Sequence, residues 1–170
     1  MKLNKNLVLV GMMGSGKSSI GKILSKKLQY EFIDTDNKIE EIEKKTISEI
    51  FKFNGEKYFR NIEEIISLKF LKLNNKVIAL GGGGYMNSNI RKYVQKKCIS
   101  VWLDWKNETL INRIKNSKKR PLAIKLDNLK LKSLIIKRSV MYNLSDYRIN
   151  CDKLNKKEIV EKIINLYENS

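Results

Sequence analysis

The segment that most constrains the fold is a glycine-rich stretch near the N-terminus, where residues 11–18 read GMMGSGKS. It follows directly on the apolar run LVLV at residues 7–10 and precedes helical spacing over residues 16–28, so strand, loop and helix are predicted in succession. Such a junction points backbone N–H groups and the positive end of the helix dipole at one anion. In this GxxxxGKS pattern Lys17 can reach the β- and γ-phosphates of a nucleotide, and the Ser18 hydroxyl can bind Mg²⁺. The segment therefore predicts a nucleoside triphosphate site, and a chance glycine-rich turn is the alternative.

Strand-like and helix-like patterns alternate along the rest of the chain. Further strands are expected at residues 30–33, 76–80, 99–103 and 147–150, and further helices from residue 37 onward with an interruption at Gly55, and at 87–94, 106–115, 127–144 and 156–167. This alternation predicts an α/β fold, a doubly wound and mostly parallel sheet of about five strands with helices on both faces, of the P-loop kinase type. Ligands of such sheets bind at the carboxyl ends of the strands. The phosphate loop, the segment Asp34-Thr35-Asp36 and the glycines at 81–84 all follow strands, so we expect them to meet at one edge.

The chain of 170 residues fits a single domain, residues 1–170, that is large enough to have its own hydrophobic core. Its two cysteines, Cys98 and Cys151, are far apart and form no CxxC pattern, which predicts neither a disulfide framework nor a zinc site. No apolar run approaches the ~20 residues that a membrane-spanning helix needs. We expect a cytoplasmic protein without a membrane partner, and a monomer.

The formal net charge is +17, from 35 basic and 18 acidic residues, which raises the question of nucleic-acid binding. The lysines are scattered along the whole chain, and neither an arginine-rich arm nor a basic strand with interleaved aromatic residues occurs. This distribution predicts no specific nucleic-acid partner. A basic surface of this kind also suits small anionic substrates, because it steers them inward.

Two features of the composition restrict the chemistry. The chain has no histidine, so a general base would have to be a carboxylate. Arginine is rare in a chain that uses lysine nearly everywhere else, and a guanidinium group offers a planar fork that an ammonium group lacks. Bidentate contacts with carboxylate or phosphate are therefore expected at the six arginines, which are Arg60, Arg91, Arg113, Arg120, Arg138 and Arg148.

Asp34 and Asp36 are the carboxylates best placed at a strand end, because the strand at 76–80 runs into glycines with no Asp. One of the pair can face the metal and the other the second substrate, or both can cap the helix expected to begin near Asn37. The segment 116–126 contains the only proline and several cationic residues, as expected of a lid that closes over bound phosphates.

In chain order, the segments GMMGSGKS, FIDTD, GEKYFRNIE, LGGGG, RPL and KRSVMY resemble the motifs of the shikimate kinase family. The resemblance runs from residue 7 to residue 142. It implies a kinase that transfers the γ-phosphoryl group of ATP to the 3-hydroxyl of shikimate, in the chorismate pathway of aromatic amino-acid biosynthesis. It also implies ATP and Mg²⁺ as the bound nucleotide and metal, and an acceptor-binding helical region at residues 37–63.

The resemblance assigns roles to individual residues. Lys17, Asp36 and Arg120 would be catalytic, with Asp36 orienting or deprotonating the shikimate hydroxyl and Arg120 stabilising charge on the transferred phosphoryl group. The metal would be held by Ser18 and Asp34. The nucleotide would be bound by Gly14, Ser15, Gly16, Lys17, Ser18, Ser19, Arg113 and Arg120, with Arg113 against the adenine. Shikimate would be bound by Asp36, Arg60, Gly81, Gly82, Gly83 and Arg138, with the two arginines on its carboxylate.

These assignments have simpler alternatives. Arg60 could pair with Glu63 or Glu64 on its own helix, the arginines of the later helices could be solvated charges, and residues 81–84 could be a plain turn. Residues 151–157 lack the Arg- and Pro-containing loop expected around adenine. The alternative functions are another small-acceptor kinase of the gluconate or nucleotide type, or a non-catalytic, nucleotide-gated protein that binds nucleic acid.

Overall fold

The phosphate loop follows the central strand of a parallel sheet. The computed structural model describes residues 5–117 and 126–170. The strands in this part of the chain are β1 (Asn6–Val10), β2 (Glu31–Asp34), β3 (Lys76–Ala79), β4 (Cys98–Asp104) and β5 (Tyr147–Asn150). Their order across the sheet is β2-β3-β1-β4-β5, and all four pairings are parallel. The chain fills one side of β1 with β2 and β3 and then crosses to the other side for β4 and β5, and such a switch places a ligand cleft at the carboxyl end of the central strand.

Seven α-helices are described in the same residues. They are α1 (Lys17–Leu28), α2 (Thr35–Glu43), α3 (Ile47–Leu71), α4 (Ser88–Lys97), α5 (Asn107–Lys115), α6 (Asn128–Tyr142) and α7 (Lys156–Glu168). A short 3₁₀ turn, Gly84–Met86, lies between β3 and α4. Among the described residues, no helix combines the length and the apolar character that crossing a bilayer requires.

The sheet is covered on both faces because alternate residues of β1 point in opposite directions. Leu7 and Leu9 pack with residues of α1 and α7, whereas Val8 and Val10 pack with residues of α4, α5 and α6. All four side chains are buried. The predicted α/β fold, a doubly wound parallel sheet of five strands with helices on both faces, is confirmed.

Helices α2 and α3 form a small core of their own. Ile39 of α2 packs with Ile50, Phe59 and Ile66 of α3, and all four are buried. This helical unit contains the segment 37–63 that was expected to bind the acceptor.

The chain after β2 departs from the expected pattern in two ways. Helix α2 begins at Thr35, earlier than expected, because the side chain of Asp34 caps it. A break then separates α2 from α3, since Thr46 and Glu49 form a capping box that starts a new helix. Gly55 interrupts α3, as expected, with φ 82° and ψ 171°.

The expected lid, residues 116–126, falls largely outside the described residues. Arg120, its predicted catalytic residue, lies in that part.

Candidate active site

The phosphate loop joins β1 to α1 through two glycines with left-handed backbone. Gly14 has φ 79° and Gly16, the residue before α1, has φ 90°, values that a residue with a side chain rarely adopts. Among the described residues, no side chain caps the first turn of α1, whereas Asp34, Thr46, Asn87 and others cap the starts of later helices. The first backbone N–H groups of α1 are therefore placed to bind an anion.

Lys17 is the first residue of α1, and its side chain lies against this loop. Its Nζ donates to the carbonyl oxygens of Gly11 at 2.7 Å and Met12 at 2.9 Å, and the residue is 8 % exposed. The ammonium group is thus held against the loop backbone. Ser19 follows in the first turn of α1 and is half-buried.

Asp34, at the end of β2, uses its two carboxylate oxygens differently. Oδ2 accepts from the Ser18 hydroxyl at 2.5 Å, and Oδ1 accepts from the backbone N–H groups of Asp36 at 3.1 Å and Asn37 at 3.4 Å. The carboxylate therefore caps α2 and also faces the phosphate loop. Two oxygen ligands side by side fit Mg²⁺, which takes one or two protein ligands in phosphoryl-transfer sites and completes its shell with phosphate and water.

Asp36 lies in the first turn of α2 and is 9 % exposed. Its carboxylate lies so close to Gly81 that a Cβ built on that glycine would overlap it, and the same Cβ would lie 3.1 Å from Oε1 of Glu63. Gly81 does not have a positive φ. The glycine is therefore required for space, and not for its backbone conformation.

Arg60, on α3, pairs with two carboxylates of its own helix. Its Nη1 donates to Glu63 Oε2 at 2.6 Å, and its Nε and Nη2 lie 3.3 Å from Glu56 Oε1. The helix pairing that the sequence left open is present, with Glu56 and Glu63 as the partners. The guanidinium group also fills the space beside Gly83, where a Cβ would overlap Nη1.

Glu63 is a carboxylate with little access to water, at 2 % exposure. Burial raises the pKa of Glu63 above its usual range, and the Arg60 guanidinium opposes this effect. One oxygen of the Glu63 carboxylate accepts from Arg60, and the other lies beside Gly81, next to the Asp36 carboxylate.

Arg138, on α6, lies on the other side of the glycines. Its Nη1 lies 3.7 Å from Met12 Sδ of the phosphate loop, and a Cβ on Gly82 would lie 3.5 Å from the same nitrogen. One turn later, the buried Tyr142 donates its hydroxyl to the carbonyl oxygen of Gly82. Burial raises the pKa of Tyr142 to about 12, so this hydroxyl stays a donor at neutral pH.

These contacts bring most of the predicted site residues together. Gly81 adjoins Asp36, Gly82 adjoins Arg138 and the backbone of Met13, and Gly83 adjoins Arg60. Because Met12 and Met13 belong to the phosphate loop, Gly82 and Arg138 join the glycine segment to that loop.

Arg113, on α5, lies at the outer side of the phosphate loop. Its guanidinium carbon stacks 3.7 Å from the ring centre of Trp105, and its Nη1 lies 3.5 Å from the carbonyl oxygen of Gly14. Nearby, Asp152 accepts from the backbone N–H of Lys106 at 2.7 Å and from the hydroxyl of Thr109 at 2.8 Å. These bonds fix the loop after β5 against the start of α5.

Comparison with known proteins finds relatives over nearly the whole chain. A family model for shikimate kinase matches residues 13–168. A shikimate kinase from Sulfurihydrogenibium sp. (strain YO3AOP1) is 42% identical over 160 residues, which cover 94% of this chain and 96% of the relative. Another, from Persephonella marina, is 40% identical over 161 residues, which cover 94% and 97%. The chain belongs to the shikimate kinase family.

Solved structures of the family have the same fold. A shikimate kinase from Acinetobacter baumannii in complex with shikimate superposes with a TM-score of 0.92 at 30% identity, covering 99% of this chain and 94% of that one. The enzyme from Aquifex aeolicus gives 0.86 at 31% identity, with 96% of each chain covered. A gluconokinase from Sinorhizobium meliloti, at 0.53 and 17% identity, and a deoxyadenosine kinase from M. mycoides, at 0.62 and 20%, share the fold alone. Family membership therefore favours the shikimate kinase prediction over the gluconate and nucleotide alternatives.

Three residues of this family site have contacts that the sequence analysis did not predict. The Thr35 hydroxyl donates to the Ala79 carbonyl at 3.3 Å and accepts from the Gly81 N–H at 2.9 Å, so it joins α2 to the end of β3. Glu63 was considered only as a helix partner of Arg60. Trp105 belongs to none of the motifs found in the sequence. The pairing of Arg60 with Glu63 was indicated by their i,i+3 spacing, but no local pattern indicates the other contacts.

Proposed function

We propose that this chain is a shikimate kinase, which transfers the γ-phosphoryl group of ATP to the 3-hydroxyl of shikimate and releases shikimate 3-phosphate and ADP. The product would feed chorismate and aromatic amino-acid biosynthesis. One observation carries the proposal: Asp36, Arg138 and Arg60 each adjoin one of three consecutive glycines, and the middle one, Gly82, adjoins Met13 of the phosphate loop. A small acid held by the arginines would thus lie beside a bound polyphosphate. The likeness to an Acinetobacter baumannii enzyme in complex with shikimate supports the same acceptor.

At the donor end, the phosphate loop binds the ATP phosphates. The backbone N–H groups of Gly14, Ser15, Gly16, Ser18 and Ser19 supply donors, and Lys17 neutralises charge on the β- and γ-phosphates. Ser18 and Asp34 would hold Mg²⁺, which when bound neutralises charge that develops on the phosphates during transfer. Arg113 packs against the adenine.

At the acceptor end, Arg60 and Arg138 bind the shikimate carboxylate. Guanidinium groups suit this task because their fork matches the two oxygens of a carboxylate. Asp36 accepts a hydrogen bond from the 3-hydroxyl and orients it, and it is the group that takes the hydroxyl proton. A carboxylate is the available base, since the chain has no histidine. Gly81, Gly82 and Gly83 have no side chains, so Asp36, Arg138 and Arg60 can lie close to the backbone beside the acceptor.

Phosphoryl transfer requires little covalent chemistry from the protein, so positioning and charge stabilisation account for most of the catalysis. Asp34 accepts from the hydroxyl of Ser18, the neighbour of Lys17 on α1, and from the backbone N–H of Asp36 at the start of α2. The donor and acceptor groups are thereby linked by hydrogen bonds. Arg120 is proposed to add a guanidinium group to the transferred phosphoryl.

We further propose that the enzyme acts as a cytoplasmic monomer. Every residue of the proposed site comes from one chain, so a second subunit is not needed to complete it. The thiols of Cys98 and Cys151 are buried, and burial raises the pKa of each to about 12, which fits unmodified cysteines in a reducing compartment. Light scattering on a size-exclusion column would measure the mass, and 19.9 kDa is expected.

A coupled assay of ADP release tests the function. Shikimate, gluconate and nucleoside monophosphates should be compared as acceptors, and ³¹P NMR should locate the phosphate on the product. Turnover is expected with shikimate and not with the others. An enzyme that turns over another acceptor but not shikimate would refute the proposal.

The role of Asp36 is tested by Asp36→Asn, which keeps the shape and removes the charge. We expect kcat to fall by about 100-fold or more, as for other general bases, with ADP binding retained. Asp146→Asn is the matched control, because Asp146 precedes β5 at the amino end of the sheet and accepts from Ser100 N–H at 2.8 Å. The control should lower stability and leave kcat unchanged. A kcat close to wild type in Asp36→Asn would exclude the proposed role.

A further inference from the structure

Trp105 follows β4 and makes two contacts with the nucleotide side of the site. Its indole Nε1–H donates to the backbone carbonyl of Ser15 in the phosphate loop at 2.9 Å. The guanidinium group of Arg113 stacks on its ring, with Cζ 3.7 Å from the ring centre. The indole is half-buried and packs against both hydrophobic cores of the sheet, which holds it in place.

The first contact sets the direction of a peptide group in the loop. In a trans peptide the carbonyl and the following N–H point in opposite directions. Because the Ser15 carbonyl points at the indole, the N–H of Gly16 points away from it. Gly16 has φ 90° and no side chain to restrict it, so the peptide before it needs an external partner to keep one orientation. The indole N–H is such a partner.

The second contact holds Arg113. A guanidinium stacked at 3.7 Å on an indole gains a cation–π interaction and loses the freedom of a solvated arginine. The same guanidinium lies 3.5 Å from the carbonyl of Gly14, one residue before Ser15. One side chain thus connects the loop expected to bind the phosphates with the arginine expected to pack on the base.

We infer that Trp105 is a positioning residue for the nucleotide: it aims the Gly16 N–H and fixes Arg113, so that the phosphate loop and the base contact act as one unit. The inference rests on the proposed function only in taking an adenine nucleotide as the donor. It concerns the binding of ADP and ATP, and it does not depend on which acceptor is phosphorylated.

Calorimetric titration with ADP in the presence of Mg²⁺ tests the inference. Trp105→Phe keeps a ring for Arg113 and removes the N–H donor, so ADP should bind about fivefold more weakly. Trp105→Leu removes both contacts and should weaken ADP about twentyfold. The KM for ATP should rise in both variants, and the KM for shikimate should stay unchanged.

Tyr167→Phe is the matched control. It also removes an aromatic donor to a backbone carbonyl, that of Lys5 at 2.6 Å, which precedes β1 at the opposite end of the sheet. This variant should have a lower melting temperature and unchanged ADP affinity. ADP affinity of Trp105→Phe within twofold of wild type would overturn the inference, as would an equal loss of affinity in the control.

Fluorescence gives a second readout that does not depend on Trp105 substitutions. The chain has two tryptophans, so Trp102→Phe leaves Trp105 as the only one. Adding ADP should change the emission of Trp105 with the same saturation curve as the calorimetric titration, and shikimate alone should not. An emission spectrum that stays constant while ADP binds would also overturn the inference. Both measurements use ADP without acceptor, so a failure of shikimate turnover would leave their outcome interpretable.

Discussion

Replacing Gly83 with alanine should weaken shikimate binding and leave the fold intact. Gly83 has φ −99° and ψ −17°, which alanine adopts without strain. The added Cβ would overlap Nη1 of Arg60 and lie 3.0 Å from Cζ and 3.2 Å from Nη2. Since ordinary contacts begin near 3.4 Å, Cζ must retreat by about 0.4 Å and Nη1 by more. The clash therefore falls on the mobile end of a side chain, and the backbone can stay where it is.

The size of the effect follows from what Arg60 is proposed to do. A hydrogen bond to a charged group contributes about 1.5–3 kcal/mol, so loss of a well-placed guanidinium contact with the shikimate carboxylate should lower kcat/KM by about 10- to 100-fold. Most of the change should be in the KM for shikimate, with the KM for ATP unchanged. The melting temperature should change little, because alanine restricts the unfolded chain more than glycine does, and this gain offsets a weaker bond from Arg60 Nη1 to Glu63.

Gly84→Ala supplies the matched control, one residue further along the chain. A Cβ there would meet Glu63 at 3.7 Å and Leu80 at 3.8 Å, which are ordinary contacts. Steady-state kinetics with each substrate varied in turn, together with thermal unfolding, would compare the two variants. If Gly83→Ala kept its kcat/KM for shikimate within twofold of wild type, the proposed place of Arg60 in the acceptor site would be wrong.

Two further predictions concern the residues that support the acceptor site. Thr35→Val removes both hydrogen bonds of the hydroxyl and should destabilise the protein by about 1–3 kcal/mol and lower kcat/KM. Thr35→Ser keeps the hydroxyl and should retain both stability and kcat/KM. Equal urea unfolding curves for the Val and Ser variants would contradict the role of the hydroxyl. Glu63 has a pKa raised by burial, so its contribution to stability is complete below its unfolded pKa near 4.5 and is lost as pH rises through the folded value. Relative to Glu63→Gln, the free energy of unfolding of the wild type, measured with urea, should therefore fall from about pH 4.5 upward. Parallel plots of this free energy against pH for the two proteins would show that the pKa of Glu63 is not raised in the folded state.

The sheet could be predicted from the sequence because its determinants are local. The run at 7–10 is apolar at every position, as expected for a strand buried on both faces, and a glycine-rich turn and a helical pattern follow it. The rule that parallel strands end at one edge then predicted that the segment after β2 and the glycines after β3 would meet. The structure places Thr35 within hydrogen-bond distance of Gly81, as that rule requires.

The directions of the side chains could not be predicted in the same way. Whether Asp34 caps α2 or faces Ser18 depends on how its two oxygens are oriented, and the carboxylate does both. The contact of Trp105 with Ser15 joins residues far apart in sequence. The sequence around Trp105 contains no pattern that distinguishes it from an aromatic residue of the core. Such contacts depend on how elements pack against each other, and a single sequence does not record this.

The arginines show why residue type alone does not separate site residues from structural ones. Arg91 donates through Nη1 to two backbone carbonyls, at 3.0 and 3.1 Å, and Arg148 donates through Nε and Nη2 to one carboxylate at 3.0 and 2.8 Å. Neither makes the predicted bidentate contact with both oxygens of a carboxylate or phosphate, since Arg91 binds backbone carbonyls and Arg148 binds one oxygen of Asp104; both hold the fold together. Arg60 and Arg138 differ because each faces a glycine whose φ would permit a side chain, Gly83 and Gly82. Since such glycines are not needed for the backbone, a glycine that lets a cation approach the backbone closely indicates a ligand site more sharply than either residue type does alone.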